Sequence, residues 1–202
     1  MAFNVYFNRH VILWNDFVYG YAVARRRRAR RPTSELIMNK AEFYADLNRD
    51  FKALMAGETS FLATLSNTSA LLFERLETVN WAGFYLLEAD TLVLGPFQGK
   101  IACVRIPVGR GVCGTAVAQN AVQRVEDVHA FDGHIACDAA SNSEIVLPLV
   151  VNGQTLGVLD IDSTAFGRFS AEDEAGLREL VGHLENVLTG TDFHKFFQPV
   201  AG

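Results

Sequence analysis

Long apolar runs are missing from this chain of 202 residues, so no stretch reads as a helix crossing a bilayer. Cysteine is scarce. Three residues, an odd number, speak against a secreted disulfide scaffold and for reduced thiols in a cytoplasmic protein. Closely spaced cysteine pairs are absent as well: Cys103, Cys113 and Cys137 follow the spacing C-x9-C-x23-C, which matches no zinc pattern. The glycine-rich stretch Gly109-Arg110-Gly111-Val112-Cys113-Gly114 could cradle an anion. It lacks the Lys-Ser/Thr of a phosphate loop, so it does not indicate a nucleotide site. No internal repeat is visible. What is present is an ordinary globular composition, 50% hydrophobic and 20% charged, which excludes disorder, collagen and coiled coil as overall classes. The length suits one domain with an extra segment, and a core that needs no disulfide or metal.

Charge is unevenly spread. Residues 1–37 hold seven arginines against Asp16 and Glu35, a net +5, while the whole chain carries −5. Residues 38–202 therefore carry −10, too acidic a body to grip phosphate backbones. The tract Arg25-Arg26-Arg27-Arg28-Ala29-Arg30-Arg31 has the composition of an arm for RNA, anionic lipid or a protease. Like charges repel, however, and a solvated, disordered arm is the plainer expectation. The first 24 residues are no signal peptide: Asn8, Arg9, His10, Asn15 and Asp16 interrupt the apolar stretch, and the positive charge follows it. Pro32-Thr33-Ser34 closes the segment, and Met38-Asn39-Lys40 resembles a fresh N-terminus. The expectation is a dispensable basic extension over residues 1–37, produced by an upstream start codon, and one domain over residues 38–202.

Within that domain the periodicity changes twice. Phe43, Leu47, Phe51, Leu54 and Met55 recur at helical spacing over residues 40–56, and Gly57 closes the run. Thr59 or Ser60 caps a second helix reaching about Glu77. Trp81 to Leu87, Leu92 to Phe97 and Ile101 to Ile106 read as strands. A short helix is expected from Val112 to Gln119 and a short strand from Val122 to Val125. Residues 126–143 form a long polar loop, of a length that is often functional. Glu144 to Val151 and Gln154 to Asp162 are strands around Asn152-Gly153, a strong hairpin signal. Ser170 and Asp173 open a last helix as a capping box. The order predicts an α+β layered domain, a mostly antiparallel sheet with helices packed on one face.

Several side chains stand out chemically. A buried cysteine is ordinarily an inert small hydrophobe, which suits Cys113 and, in its strand, Cys103. Cys137 suits it poorly, because it lies in the long loop among Gly133, His134, Asp138 and Ser141. A loop thiol with a second cysteine on an adjacent strand fits a nucleophile and a resolving thiol. Asp160 and Asp162 are two apart on an apolar strand and so share a face, and Glu144 opens the partner strand. They are either a strand-end cap and a solvated acid, or a convergent cluster in which one acid takes up a proton. Trp81 and Tyr85 share a strand face. An isolated aromatic pair is ordinarily core; as pocket walls the two would suit a methyl group, a thioether or a cation. His129 and His134 read as surface histidines of the long loop.

Asn80-Trp81-Ala82-Gly83-Phe84-Tyr85, Gly95-Pro96-Phe97-Gln98-Gly99-Lys100, Pro107-Val108-Gly109-Arg110-Gly111-Val112-Cys113-Gly114, His134-Ile135-Ala136-Cys137-Asp138, Ser143-Glu144-Ile145-Val146-Leu147-Pro148 and Asp160-Ile161-Asp162-Ser163 together closely resemble the free methionine-(R)-sulfoxide reductases. These are enzymes of the GAF fold. The resemblance covers about residues 38–202, includes the three-cysteine spacing and leaves out residues 1–37. It implies a GAF-like six-stranded antiparallel sheet with helices behind it, and a homodimer. It implies reduction of the R-epimer of free methionine sulfoxide in the cytoplasm, under oxidative stress. By the same resemblance Cys137 is the nucleophile that becomes a sulfenic acid. Cys103 then forms a disulfide with it that thioredoxin reduces, and Cys113 is auxiliary. Trp81, Tyr85, Glu144, Asp160 and Asp162 would hold substrate. No bound cofactor, metal, nucleic acid or membrane is expected. The GAF fold also serves as a small-ligand regulatory module, and a passive redox sensor is a further alternative.

Overall fold

A computed structural model describes residues 39–133 and 139–197. The chain divides after Ile37, and the unit Met38–Gly202 contains everything described below. The basic extension and Cys137, in its stretch 134–138, lie outside the described residues.

Two helices come first, α1 (Lys40–Leu54) and α2 (Phe61–Arg75). Asn39 caps α1 by accepting from the Glu42 amide, and Ser60 caps α2 by accepting from Ala63. Strands β1 (Val79–Glu88), β2 (Thr91–Gly99) and β3 (Arg105–Pro107) follow, then α3 (Gly111–Gln119) and β4 (Gln123–Val125). After the long loop come β5 (Ser143–Val151), β6 (Gln154–Ser163) and α4 (Ala171–Leu188). The six strands form one sheet in the order β3-β2-β1-β6-β5-β4, and every neighbouring pair is antiparallel. A family expectation of six antiparallel strands is thus met.

The β5–β6 hairpin turns at Asn152 and Gly153, with φ of 51° and 78°. Two consecutive positive φ values match the twist of the flanking strands, which is why Asn-Gly is favoured there. The capping box is also present: Ser170 accepts from the Asp173 amide, and Asp173 accepts from Ser170.

One expected strand is corrected. Residues 101–104 are irregular, and only Arg105–Pro107 pairs with β2. The backbone there makes other bonds. Tyr85 Oη donates to the Cys103 carbonyl at 3.0 Å, and Trp81 Nε1 donates to the Lys100 carbonyl at 3.2 Å. Cys103 therefore precedes the strand instead of lying in it.

The sheet is buried on both faces. One face, with Ala82, Phe84, Ile145, Leu147, Leu159 and Ile161, packs against α1, α2 and α4. Helices on one face were expected, and the three long ones obey. The short α3 lies on the opposite face, where Val112, Cys113 and Ala116 cluster with Trp81, Tyr85, Val146 and Val158.

Candidate active site

Alternation along three adjacent strands builds the site. Trp81, Gly83 and Tyr85 of β1, Val158, Asp160 and Asp162 of β6, and Glu144 and Val146 of β5 all project to the face that α3 covers. The register sets them in rows. Trp81, Asp162 and Glu144 are cross-strand partners, and so are Gly83, Asp160 and Val146. The one-face prediction for Asp160 and Asp162 becomes a contact because β5 brings Glu144 directly opposite Asp162. Cross-strand partners lie about 5 Å apart.

The acids sit at different depths. Glu144 and Asp160 are buried, whereas Asp162 is half-buried. The Cys113 thiol donates to Glu144 Oε1 at 3.8 Å. Asp160 Oδ1 is buried without a hydrogen-bond partner. Removal from water favours the neutral form of an acid, and a second carboxyl alongside adds to that. Burial and then the neighbouring Asp160 push Glu144 well above the usual carboxylate range. Burial raises Asp160 to about 6, opposed by hydrogen bonds from Cys113 and Glu144. Both acids are thus driven toward the protonated form, and the pair favours holding a proton. Burial, followed by the negative field of Asp160 and Glu144, pushes the Cys113 thiol well up. A thiol kept protonated is a donor and not a nucleophile.

Aromatic rings close one side. Trp81 and Tyr85 are both buried, their centroids 5.8 Å apart and nearly parallel. Phe97, which the residue-by-residue reading passed over, stacks on Trp81 at 5.2 Å. Its place opposite Gly83 allows this, since a Cβ on Gly83 would overlap Phe97. A large ring facing a glycine across two strands was the available signal. Burial also raises Tyr85, so its hydroxyl stays a neutral donor.

Six of the eight singled-out residues, Trp81, Tyr85, Cys113, Glu144, Asp160 and Asp162, therefore meet on one face. Cys103 borders that cluster, half-buried and disulfide-bonded. Cys137 lies outside the described residues. Among the described residues, Cys113, Glu144 and Asp160 place ligand atoms within 4.8 Å of one another. Three donors without histidine make a poor match to the four-ligand sites of structural zinc. The arrangement can offer a proton from a buried acid, an apolar aromatic wall and a carboxylate at the half-open rim.

Comparison with known proteins adds the family. A family model of the GAF domain matches residues 63–189. The free methionine-R-sulfoxide reductase of Escherichia coli is 82% identical over 165 residues, which is 82% of this chain and all of that protein. Two solved relatives were determined with substrate. The free methionine-R-sulfoxide reductase of Neisseria meningitidis is 42% identical, with a TM-score of 0.73 over 80% of this chain and 96% of that one. The fRMsr of Staphylococcus aureus is 50% identical, with a TM-score of 0.69 over 72% of this chain and 95% of that one.

Proposed function

The chain belongs to the free methionine-R-sulfoxide reductases, oxidoreductases built on a GAF domain, and from that membership we propose that it reduces free L-methionine (R)-sulfoxide to methionine through a cysteine thiolate. The observation that carries this reading is the buried pair Glu144 and Asp160, holding a proton beside the Trp81 and Phe97 rings. A sulfoxide gives up its oxygen only when that oxygen is protonated, so a neutral acid at the oxygen is needed. Glu144 is the donor we assign. The rings suit the methyl and thioether end of the substrate. Asp162, at the half-open rim, suits its ammonium group. A free amino acid presents that ammonium, whereas a peptide-bound methionine sulfoxide does not, so the rim selects the free form.

The reaction balances as follows. Cys137, as a thiolate, attacks the sulfoxide sulfur while the oxygen takes a proton from Glu144. The sulfur–sulfur bond so formed breaks as the protonated oxygen passes from the substrate sulfur to Cys137; the electron pair of that bond stays on the methionine sulfur, so methionine leaves and Cys137 is a sulfenic acid. The Cys103 thiol condenses with it: a sulfur–sulfur bond forms, the sulfur–oxygen bond breaks, and water departs. Thioredoxin then returns two electrons by thiol–disulfide exchange. Cys113 acts as an auxiliary donor to Glu144. Thioredoxin as external reductant, the lack of any bound cofactor and assembly as a homodimer belong to the same proposal.

The test follows NADPH consumption with purified protein, thioredoxin and thioredoxin reductase. Free methionine-(R)-sulfoxide, the free (S)-epimer and an N-acetylated (R)-sulfoxide are supplied in parallel. Turnover of the free R-epimer alone, lost in Cys137→Ser, is the expected outcome. No turnover with any sulfoxide would return the protein to the small-ligand module or the redox sensor.

A further inference from the structure

The segment from Lys100 to Val104 joins β2 to β3 without entering the ladder as a strand, yet it is pinned at three points. Trp81 Nε1 donates to the Lys100 carbonyl at 3.2 Å, Tyr85 Oη to the Cys103 carbonyl at 3.0 Å, and the Leu94 amide to the Val104 carbonyl at 3.0 Å. Its side chains divide into two sets. Ala102 and Cys103 pack inward against the Trp81–Tyr85 cluster. Ile101 and Val104 point to solvent and are 91% and 62% exposed. Single exposed aliphatic residues are common and need no explanation. These two are different: they bracket a disulfide-bonded cysteine on a short segment held rigid by buried donors. Lys100 and Arg105 flank them, basic side chains on a body whose residues 38–202 carry −10.

We propose that Ile101 and Val104 form the docking surface for a protein dithiol that reduces the Cys103 disulfide. This rests on the function proposed above. A disulfide is opened by a thiolate approaching in line with the sulfur–sulfur bond. A small thiol reaches it by diffusion. A protein thiol must lay the surface around its sulfur against the surface around the target. A rigid rim with one aliphatic side chain on each side of Cys103 offers that surface, and its pinning lowers the ordering cost of docking. The partner has an apolar rim around its attacking cysteine. Its thiolate attacks the Cys103 sulfur, forming a mixed disulfide and breaking the intramolecular bond, so that the second sulfur of this chain leaves as a thiolate. The partner's second thiolate then attacks the mixed disulfide and frees Cys103. The partner ends as a disulfide, and this chain gains the two electrons.

The test uses the full chain with Ile101→Ser/Val104→Ser and two reductants, thioredoxin and dithiothreitol. The expected result is a rise of roughly tenfold or more in KM for thioredoxin, with turnover driven by dithiothreitol unchanged. A thioredoxin variant retaining only its attacking cysteine should be trapped on Cys103 by the parent chain and poorly by the double variant. Thioredoxin-driven rates equal in the two chains would overturn the proposal. So would an equal fall with both reductants, since that marks a structural effect. Dissociation of a dimer by the double variant, read by light scattering, would assign the surface to a second copy and also overturn it. If the parent chain turns over with neither reductant, the failure lies in the proposed function itself.

Discussion

Asp160 shows at the scale of a single residue how a site can work against its fold. Its carboxyl is buried, one oxygen has no partner, and burial raises it to about 6. Below the usual carboxylate range, near pH 4, the group is protonated folded and unfolded and costs nothing through linkage. Between about pH 4 and pH 6 the unfolded chain has released the proton while the folded chain still holds it, so stability falls across that interval and is level above it. Asp160→Asn removes that penalty. Its melting temperature should exceed the parent's by a margin that grows from about pH 4 to pH 6 and is level above, on the order of 1–3 kcal/mol on that plateau, while sulfoxide turnover drops. Thermal unfolding across that range, beside the rate assay, checks both. Glu144→Gln keeps the shape and removes the transferable proton. We expect kcat/KM to fall by about a hundredfold or more. The parent's rate should itself decline as pH rises far enough to ionise Glu144, and a pH profile lacking that limb in the variant would agree.

Elements meet through a few polar joints. The N-terminus of α4 is anchored at Asp173, which accepts from Tyr44 Oη at 2.9 Å and from Arg168 at 3.2 Å, and pairs with Lys40 of α1. Burial works to raise this acid, but the Lys40 ammonium, the Ser170 amide and Tyr44 outweigh it and hold Asp173 down at about 2. Because the folded value is depressed, the stabilisation is present above the ordinary value near 4 and is lost as pH falls toward 2. Asp173→Asn should cost on the order of 2–4 kcal/mol at neutral pH, and the parent and variant melting temperatures should converge in acid. Sulfoxide specificity should be untouched, since the joint lies behind the sheet. At the β5–β6 turn, Gly153 has a φ of 78°, and Gly153→Ala should cost about 1 kcal/mol, measured by denaturant unfolding.

At the largest scale, the described part of the unit Met38–Gly202 is a sheet with a packing face and a chemical face, and the two were unequally legible in the chain. Asn39, Ser60, Ser170 with Asp173, and Asn152-Gly153 act through neighbours a few residues away, so the helix starts, the hairpin and the α+β order were fixed locally and could be read directly. The Escherichia coli relative matches 165 residues of this chain over its own full length, and a chain beginning at Met38 should keep the turnover and melting temperature of the parent, as assay and calorimetry can check. Strand alternation alone put Asp160 and Asp162 on one face. It did not reveal that Cys103 leaves the ladder, because the Trp81 and Tyr85 donors that bind its segment lie about twenty residues away in sequence. Nor did it single out Phe97, whose ring finds space only because β1 places Gly83 opposite. Above all, periodicity says nothing of depth: it takes β5 beside β6, with α3 laid over both, to strip water from Glu144, Asp160 and Cys113. The sequence by itself determined most of the elements, their order and the family resemblance; the tertiary structure decided that the clustered acids are driven toward holding a proton, because that depends on removal from water by segments distant along the chain.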